Sequence, residues 1–216
     1  MEDGVEVDLR DGGVAGRVEV RVAGLILAAG ESSRMGSPKA LLEFRGELFL
    51  DRLTRLLAEV SDPVVVVLGH DAAAVRRGAR HPERAVFVEN PEYRRGQLTS
   101  MQAGLRAMPA GIDGVMFTLV DHPNLDPATL RSLLGAQLDD ETAPLAIPTW
   151  QGRRGHPIFF RASLIDEFLA LEPDSQAKAV VDRHRDRIRY VEAASGGVLD
   201  DIDDPGAYRR LIGAPA

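Results

Sequence analysis

Leu25-Ile26-Leu27-Ala28-Ala29-Gly30-Glu31-Ser32-Ser33-Arg34-Met35-Gly36-Ser37-Pro38-Lys39 is the stretch on which the fold turns. Three large apolar residues run into three small ones, then into a polar loop carrying two cations. An apolar run this short, bounded by glycine, reads as a buried strand. In open α/β sheets the loops at the carboxyl ends of strands face the ligand crevice. Small residues there let the backbone come close to a ligand and aim its amides at an anion. Arg34 and Lys39 add fixed positive charge to the same loop. The loop lacks the Gly-Lys-Ser/Thr of a P-loop and the three spaced glycines of a dinucleotide fingerprint.

Working outward, short apolar runs alternate with amphipathic stretches, the pattern of βα units on a mainly parallel sheet. Val64 to Leu68 is apolar enough to be buried on both faces, Ala85 to Val88 follows, and Val115 to Val120 ends at Asp121. Later strands are expected at Leu145 to Pro148, Ile158 to Phe160, Arg189 to Val191 and Val198 to Leu199. Helices are expected over Leu48 to Val60, from an Asp71 cap to about Arg80, and from Thr99 or Ser100 onward with Met101, Leu105 and Met108 on one face. Pro127 starts another over Ala128 to Leu138, and two more lie near Ala162 to Leu171 and Ser175 to His184. One doubly wound α/β domain over residues 22–216 accounts for these elements. Residues 1–21, rich in glycine and charge, read as an N-terminal extension or an added edge strand.

The bulk properties narrow the function. With 216 residues the chain is long enough for one substantial core. It has no cysteine, which excludes disulfides and thiolate metal sites. A net charge of −7 argues against broad nucleic-acid binding, so positive charge serving a polyanion has to be concentrated locally, as it is at Arg34 and Lys39. The acidic start has no apolar h-region, and no apolar run approaches the roughly 20 residues of a membrane span. A soluble, cytoplasmic protein with no membrane partner is the expectation.

The segment from Leu27 through Leu42 resembles the signature L-A-A-G-x-S-x-R-M-G-x-x-K-x-L-L of the molybdenum-cofactor nucleotidyltransferases. Ala28-Ala29-Gly30, in place of Ala-Gly-Gly, is similar to the cytidylyltransferase branch. The resemblance implies a Rossmann-like, three-layer α/β/α fold of the GT-A-like nucleotidyltransferase type, with a mostly parallel central sheet. It implies that backbone from Ala28 through Ser33 (Ala28, Ala29, Gly30, Glu31, Ser32, Ser33) contacts a nucleotide whose phosphates Arg34 and Lys39 grip. Gly96-Gln97-Leu98-Thr99-Ser100, continuing to Gly104-Leu105, is similar to the family's turn against base and sugar, which adds Gly96, Thr99 and Ser100. Ser100 reads equally well as a helix cap.

Asp121, at the end of a buried strand, suits one oxygen ligand for Mg²⁺ on nucleotide phosphates. Leu199-Asp200-Asp201-Ile202-Asp203-Asp204-Pro205 resembles the family's second acidic segment, and Asp203 takes the place of its metal ligand. By itself Asp203 would read as a helix cap. Asp201 is expected to face solvent sooner than to assist the metal ligands, and His122 to back the ligands or be structural, since an ionised phosphate acceptor needs no base. Pro148 through Ile158 resembles the family's acceptor segment. Its glycines suggest close approach, either Arg153 or Arg154 suits a phosphate, and Gly155 and His156 are contacts. Trp150 suits a pterin face or, better, the edge of the core.

The implied reaction is Mg²⁺-dependent transfer of CMP from CTP to molybdopterin with release of pyrophosphate, Arg34, Lys39 and Asp121 being catalytic and the product delivered to a molybdoenzyme. GTP as donor, another small phosphorylated acceptor, and a non-catalytic nucleotide-binding accessory protein remain as alternatives. A glycosyltransferase on the same sheet would need an Asp-x-Asp where Asp121-His122-Pro123 stands.

Overall fold

The computed structural model describes residues 20–214. In chain order it gives β1 (Val22–Ala28), a hairpin of β2 (Glu43–Phe44) and β3 (Glu47–Leu48), α1 (Phe49–Leu57), β4 (Val64–Leu68), α2 (Ala72–Gly78), β5 (Val86–Glu89), α3 (Gln97–Arg106), β6 (Gly114–Leu119) and α4 (Pro127–Asp139). The second half adds β7 (Leu145–Trp150), β8 (Arg153–Arg154), β9 (Ile158–Arg161), α5 (Ile165–Leu169), α6 (Lys178–Arg183), β10 (Ile188–Glu192) and α7 (Pro205–Ile212). The main sheet runs β10-β7-β9-β6-β1-β4-β5, with β8 beside β7. β9 is antiparallel to β6 and β7, whereas β1 is parallel to both β4 and β6.

The all-apolar strands are explained by this arrangement. Val22, Ile26 and Ala28 of β1 face one core layer and Leu25 and Leu27 the other. In β4, Val64, Val66 and Leu68 divide in the same way from Val65 and Val67, the period of two expected of pleated backbone. Helices α1, α2, α4 and α7 cover the first face, and α3, α5 and α6 the second. The sheet is therefore the middle of three layers, as the sequence implied. Strand order reverses at β1, whose neighbours are reached by chain running in opposite directions. A crevice opens at the carboxyl ends of β1 and β6 for that reason. There the amide of Val120 donates to the carbonyl of Leu27 (3.0 Å), joining the two site-bearing loops at their roots.

Several local expectations are corrected. Val198–Leu199 is not a strand but part of a 3-10 turn, Gly196–Leu199, because the two glycines let it fold tightly against its neighbours. The helix expected from Ser175 starts at Lys178, and that from Ala162 breaks into a 3-10 turn, Ala162–Leu164, followed by α5. α3 begins at Gln97 rather than Thr99 or Ser100, since Gly96 at φ +123° makes the turn that a side-chain cap was expected to make. Asp71 stands at the start of α2, but its carboxylate does not cap. Of residues 1–21, those up to 19 lie outside the described residues. No helix among the described residues is long and apolar enough to cross a membrane.

Phe49 is fully buried at the start of α1 and meets Tyr208 of α7 edge-on, with ring centroids 6.0 Å apart. Removing a buried phenyl ring costs about 3–5 kcal/mol through lost burial and the cavity left behind. Urea unfolding of Phe49→Ala should show a loss of that size; a loss under about 1 kcal/mol would mean that α7 is not anchored here.

Candidate active site

The loop after β1, the end of β6 and the segment before α7 meet on one ammonium. Lys39 Nζ donates to Asp121 Oδ2 at 3.1 Å and to Asp203 Oδ1 at 2.6 Å. Arg34 Nη2 donates to the other Asp203 oxygen at 3.2 Å. Burial opposes the charge on Lys39, but hydrogen bonds and attraction from the two carboxylates outweigh it and hold its pKa above the ordinary value. The same bond with Lys39 is the main reason that Asp203 is held below the usual carboxylate range. Local geometry prepares Lys39 for this role. Ser32 adopts a left-handed conformation (φ 49°) and its Oγ accepts from the Lys39 amide at 3.2 Å, closing the loop onto itself.

The C-terminal acids are fixed by backbone. The Ile202 amide donates to the Asp121 carbonyl (3.0 Å), so Asp201 and Asp203 project on either side of a chain already tied to Asp121. Asp204, not Asp203, caps α7 by accepting from the Ala207 amide at 2.9 Å. With Asp204 taking the cap, Asp203 is free to face Lys39.

Asp201 was expected to face solvent sooner than to assist the metal ligands. Although exposed overall, it brings a carboxylate oxygen into a group with Asp121 and His122 whose ligand atoms all lie within 4.8 Å of one another. Burial, and then repulsion from Asp121 and Asp203, push its carboxyl above the ordinary range. Asp121 Oδ1 is sealed from solvent and accepts no hydrogen bond. A buried, unpaired carboxylate oxygen beside a second strained carboxylate is the environment a hard divalent cation relieves, and oxygen donors of this kind suit magnesium or manganese. The residues fit such a metal. No signal short of the fold could separate Asp201 from a solvated member of its acidic run.

Two cavities flank this centre. A cleft of about 300 Å³ is lined by Ala28, Ala29, Gly30, Ser32, Ser33, Arg34, Lys39, Gly96, Ser100, Asp121 and Asp203, bringing together most of the residues expected to hold a nucleotide. Glu31 and Thr99 do not line it. Glu31 turns outward to Arg94 (3.2 Å), and Thr99 is buried, accepting from Asn90 Nδ2 at 3.0 Å. Ser100 lies inside α3, not at its cap, where its Oγ also accepts from Asn90 Nδ2 (3.0 Å).

The second cavity, about 480 Å³, is lined by the four expected acceptor contacts, Arg153, Arg154, Gly155 and His156, and also by His122, Lys178 and Asp201. Its walls are Met101, Phe117, Phe160 and Phe168, and it shares Gln97 and Leu119 with the cleft. The bare Cα of Gly155 serves a different purpose from the one expected. A Cβ there would stand 2.2 Å from the Val198 carbonyl oxygen, so the glycine admits the C-terminal segment, not a ligand. Gly197 does the same against the Asn124 carbonyl, at 2.1 Å. Trp150 closes β7 with its indole beside Gly196 and does not line the cavity, as the core-edge reading expected.

Comparison with known proteins gives the family and the fold. The family model for the MobA-like NTP transferase domain matches residues 24–188. The chain belongs to that family. It is a nucleotidyltransferase with the family's fold, and nucleotidyltransferases of this family generally use a divalent metal. The chain is 28% identical to the molybdenum cofactor cytidylyltransferase of Escherichia coli, over 85% of this chain and 92% of that protein. It is 29% identical to a probable molybdenum cofactor guanylyltransferase of Bacillus cytotoxicus, over 62% of this chain and 64% of that one. Among solved structures, Rv0371c of Mycobacterium tuberculosis superposes with a TM-score of 0.76 at 28% identity, covering 91% of this chain and all of that one. The mycobacterial protein has also been solved as a manganese complex.

Within this MobA-like transferase the two cavity histidines lie against each other at a 42° tilt, with ring centroids 4.6 Å apart. Burial, and then the neighbouring His122, push His156 down to about 3. The folded protein thus keeps this ring neutral where the unfolded chain takes up a proton, below the ordinary histidine pKa of about 6.5. Stability is lost as pH falls from there toward about 3. Chemical unfolding of His156→Gln between pH 4 and 6.5 should show a shallower decline than the native chain, by up to about 1.4 kcal/mol per pH unit. Parallel profiles would place the acid sensitivity elsewhere.

Proposed function

We propose that this nucleotidyltransferase moves CMP from CTP to molybdopterin with Mg²⁺, releasing pyrophosphate. The observation that carries the reading is the Asp121–Lys39–Asp203 constellation, set between a polar cleft and an apolar chamber with a basic rim. A donor nucleotide in the cleft would lay its phosphates along the loop amides, Arg34 and Lys39. An acceptor in the chamber would present a phosphate past Arg153, Arg154 and Lys178. One acceptor oxygen attacks the α-phosphorus in line, a new P–O bond forms, the bond to the bridging oxygen breaks, and pyrophosphate leaves with the electron pair. Asp121 and Asp203, with Asp201 beside them, would hold the Mg²⁺, which would supply neutralisation of the phosphate charge when bound. Lys39 then turns from the carboxylates to the leaving phosphates, and no general base is required. His122 and His156, both lowered by burial, serve as neutral wall.

CTP is favoured by Ala28-Ala29-Gly30 and by the longer match to the cytidylyltransferase; GTP is the second reading, on the match to the guanylyltransferase. Delivery of the product to a molybdoenzyme would follow from either.

Pyrophosphate release should be measured with molybdopterin, Mg²⁺ and each of CTP, GTP, UTP and ATP. The expected result is turnover with CTP, lowered about 10²–10³-fold in Asp121→Ala, the range for losing one electrostatic contact to a transition state. Turnover with GTP alone would replace the cytidylyl reading, and none with any nucleotide would overturn molybdopterin as the acceptor.

A further inference from the structure

Away from Arg34, Lys39 and the carboxylates, the cleft lining includes His70, Val75, Tyr93, Gly96, Gln97 and Ser100. If the triphosphate lies against Arg34 and Lys39, the base faces this wall. His70 and Tyr93 are built into it with a fixed polarity. His70 follows β4, and its amide donates to the Ala29 carbonyl at 3.1 Å, pinning it to the nucleotide loop. Its Nδ1 lies 3.3 Å from the Tyr93 hydroxyl, and its Nε2 lies 3.3 Å from Asp71 Oδ2. Tyr93 packs so closely over Gly69 that a Cβ on that residue would stand 2.6 Å from the Tyr93 Cβ. Arg94 lies over its ring, 5.6 Å from the centroid, and pairs with Glu31.

The polarity of this arrangement follows from its acidic end. Asp71 Oδ2 stands nearest Nε2, and a carboxylate favours the tautomer that carries the single ring N–H on that side. Nδ1 is left as an acceptor, and it takes the Tyr93 hydroxyl proton. With that proton committed, the phenolic oxygen offers only lone pairs to the cleft. Asp71 can play its part because it sits in a left-handed conformation (φ 51°) with its carboxylate withdrawn from the start of α2, the cap the sequence had suggested for it. A non-glycine residue held in that region costs energy and is kept where the surroundings dictate it.

We propose that Asp71, His70 and Tyr93 form a base-reading relay, in which the Tyr93 hydroxyl accepts from an exocyclic amine and so selects an aminopyrimidine over its keto counterpart. This rests on the cleft being the donor nucleotide site. CTP and UTP differ at this edge in an amino group against a carbonyl at C4 and in a bare nitrogen against an N–H at N3. A keto oxygen facing the committed hydroxyl leaves two acceptors opposed and unpaired, a mismatch that polar sites penalise heavily.

The test is calorimetric titration of the native protein, Tyr93→Phe and His70→Phe with CTP and UTP, each with Mg²⁺. The native protein should bind CTP at least about tenfold more tightly than UTP. Tyr93→Phe should bring that ratio close to one. His70→Phe keeps the hydroxyl but frees its proton, so the ratio should also collapse, through a gain for UTP and not merely a loss for CTP. A native ratio near one, or variants that weaken both nucleotides equally, would overturn the relay and leave the transferase reading intact. If GTP proves the better donor yet Tyr93→Phe still erases the CTP/UTP ratio, the cytidylyl reading falls and the relay stands. If the native protein binds no nucleotide, both fall.

Discussion

Three carboxylates and two cations share the mouth of one crevice, and Lys39 decides how they are arranged. Its ammonium lies between Asp121 and Asp203, so a loop from the first strand, the end of the sixth and a segment from the far end of the chain are drawn to a single point. Like charges packed this closely repel unless something positive stands among them. Lys39 supplies that charge where the side chains are largely shielded from water, with its own side chain only 12% exposed, so the attraction is stronger than at an open surface. Everything around it serves to hold those three segments in register: the central parallel strands, the Val120–Leu27 contact and the Ile202–Asp121 bond.

The sheet places this charge at a seam. Because β1 lies between β4 and β6, chain departs from it in two directions, and helices withdraw from the gap. One side of the gap is polar and small-residued, fit for phosphates and ribose; the other is aromatic with basic residues at its edge. Gln97 and Leu119 face both sides. The two substrates of a transfer reaction thus need only a shared wall and one electrostatic centre to meet, and positioning supplies most of the rate advantage such chemistry requires.

Much of this was legible in the chain itself. The strands that matter most, β1, β4 and β6, are continuous apolar runs whose only stable home is the middle of a sheet, and the cations and Asp121 stand directly after two of them. The parts that escaped reading depend on distant neighbours. Val198–Leu199 has strand-like composition but folds as a turn because Gly155 and Gly197 admit backbone at distances no other residue would allow. The motif singles out Asp203, but that Asp201 also comes up to Asp121 shows only once the Ile202 amide finds the Asp121 carbonyl. Asp71 has the composition of a cap and instead reaches His70, a preference set by backbone conformation that residue type does not reveal. Glu31 and Thr99 sit inside matching motifs yet point away, because a signature fixes the path of the chain more firmly than the direction of each side chain.

The bond between Lys39 and Asp203 spans 164 residues of sequence. As the chain leaves the ribosome, the crevice can form once β6 has emerged, but its second carboxylate arrives only after the rest of the sheet has been made. Until then Lys39 has Asp121 alone for company, and Arg34 has no acid to hold it. The site is therefore completed last, after the scaffold that carries it. A nascent chain thus has its strands in hand before the charge on Lys39 is balanced, so the order of synthesis puts scaffold ahead of electrostatics.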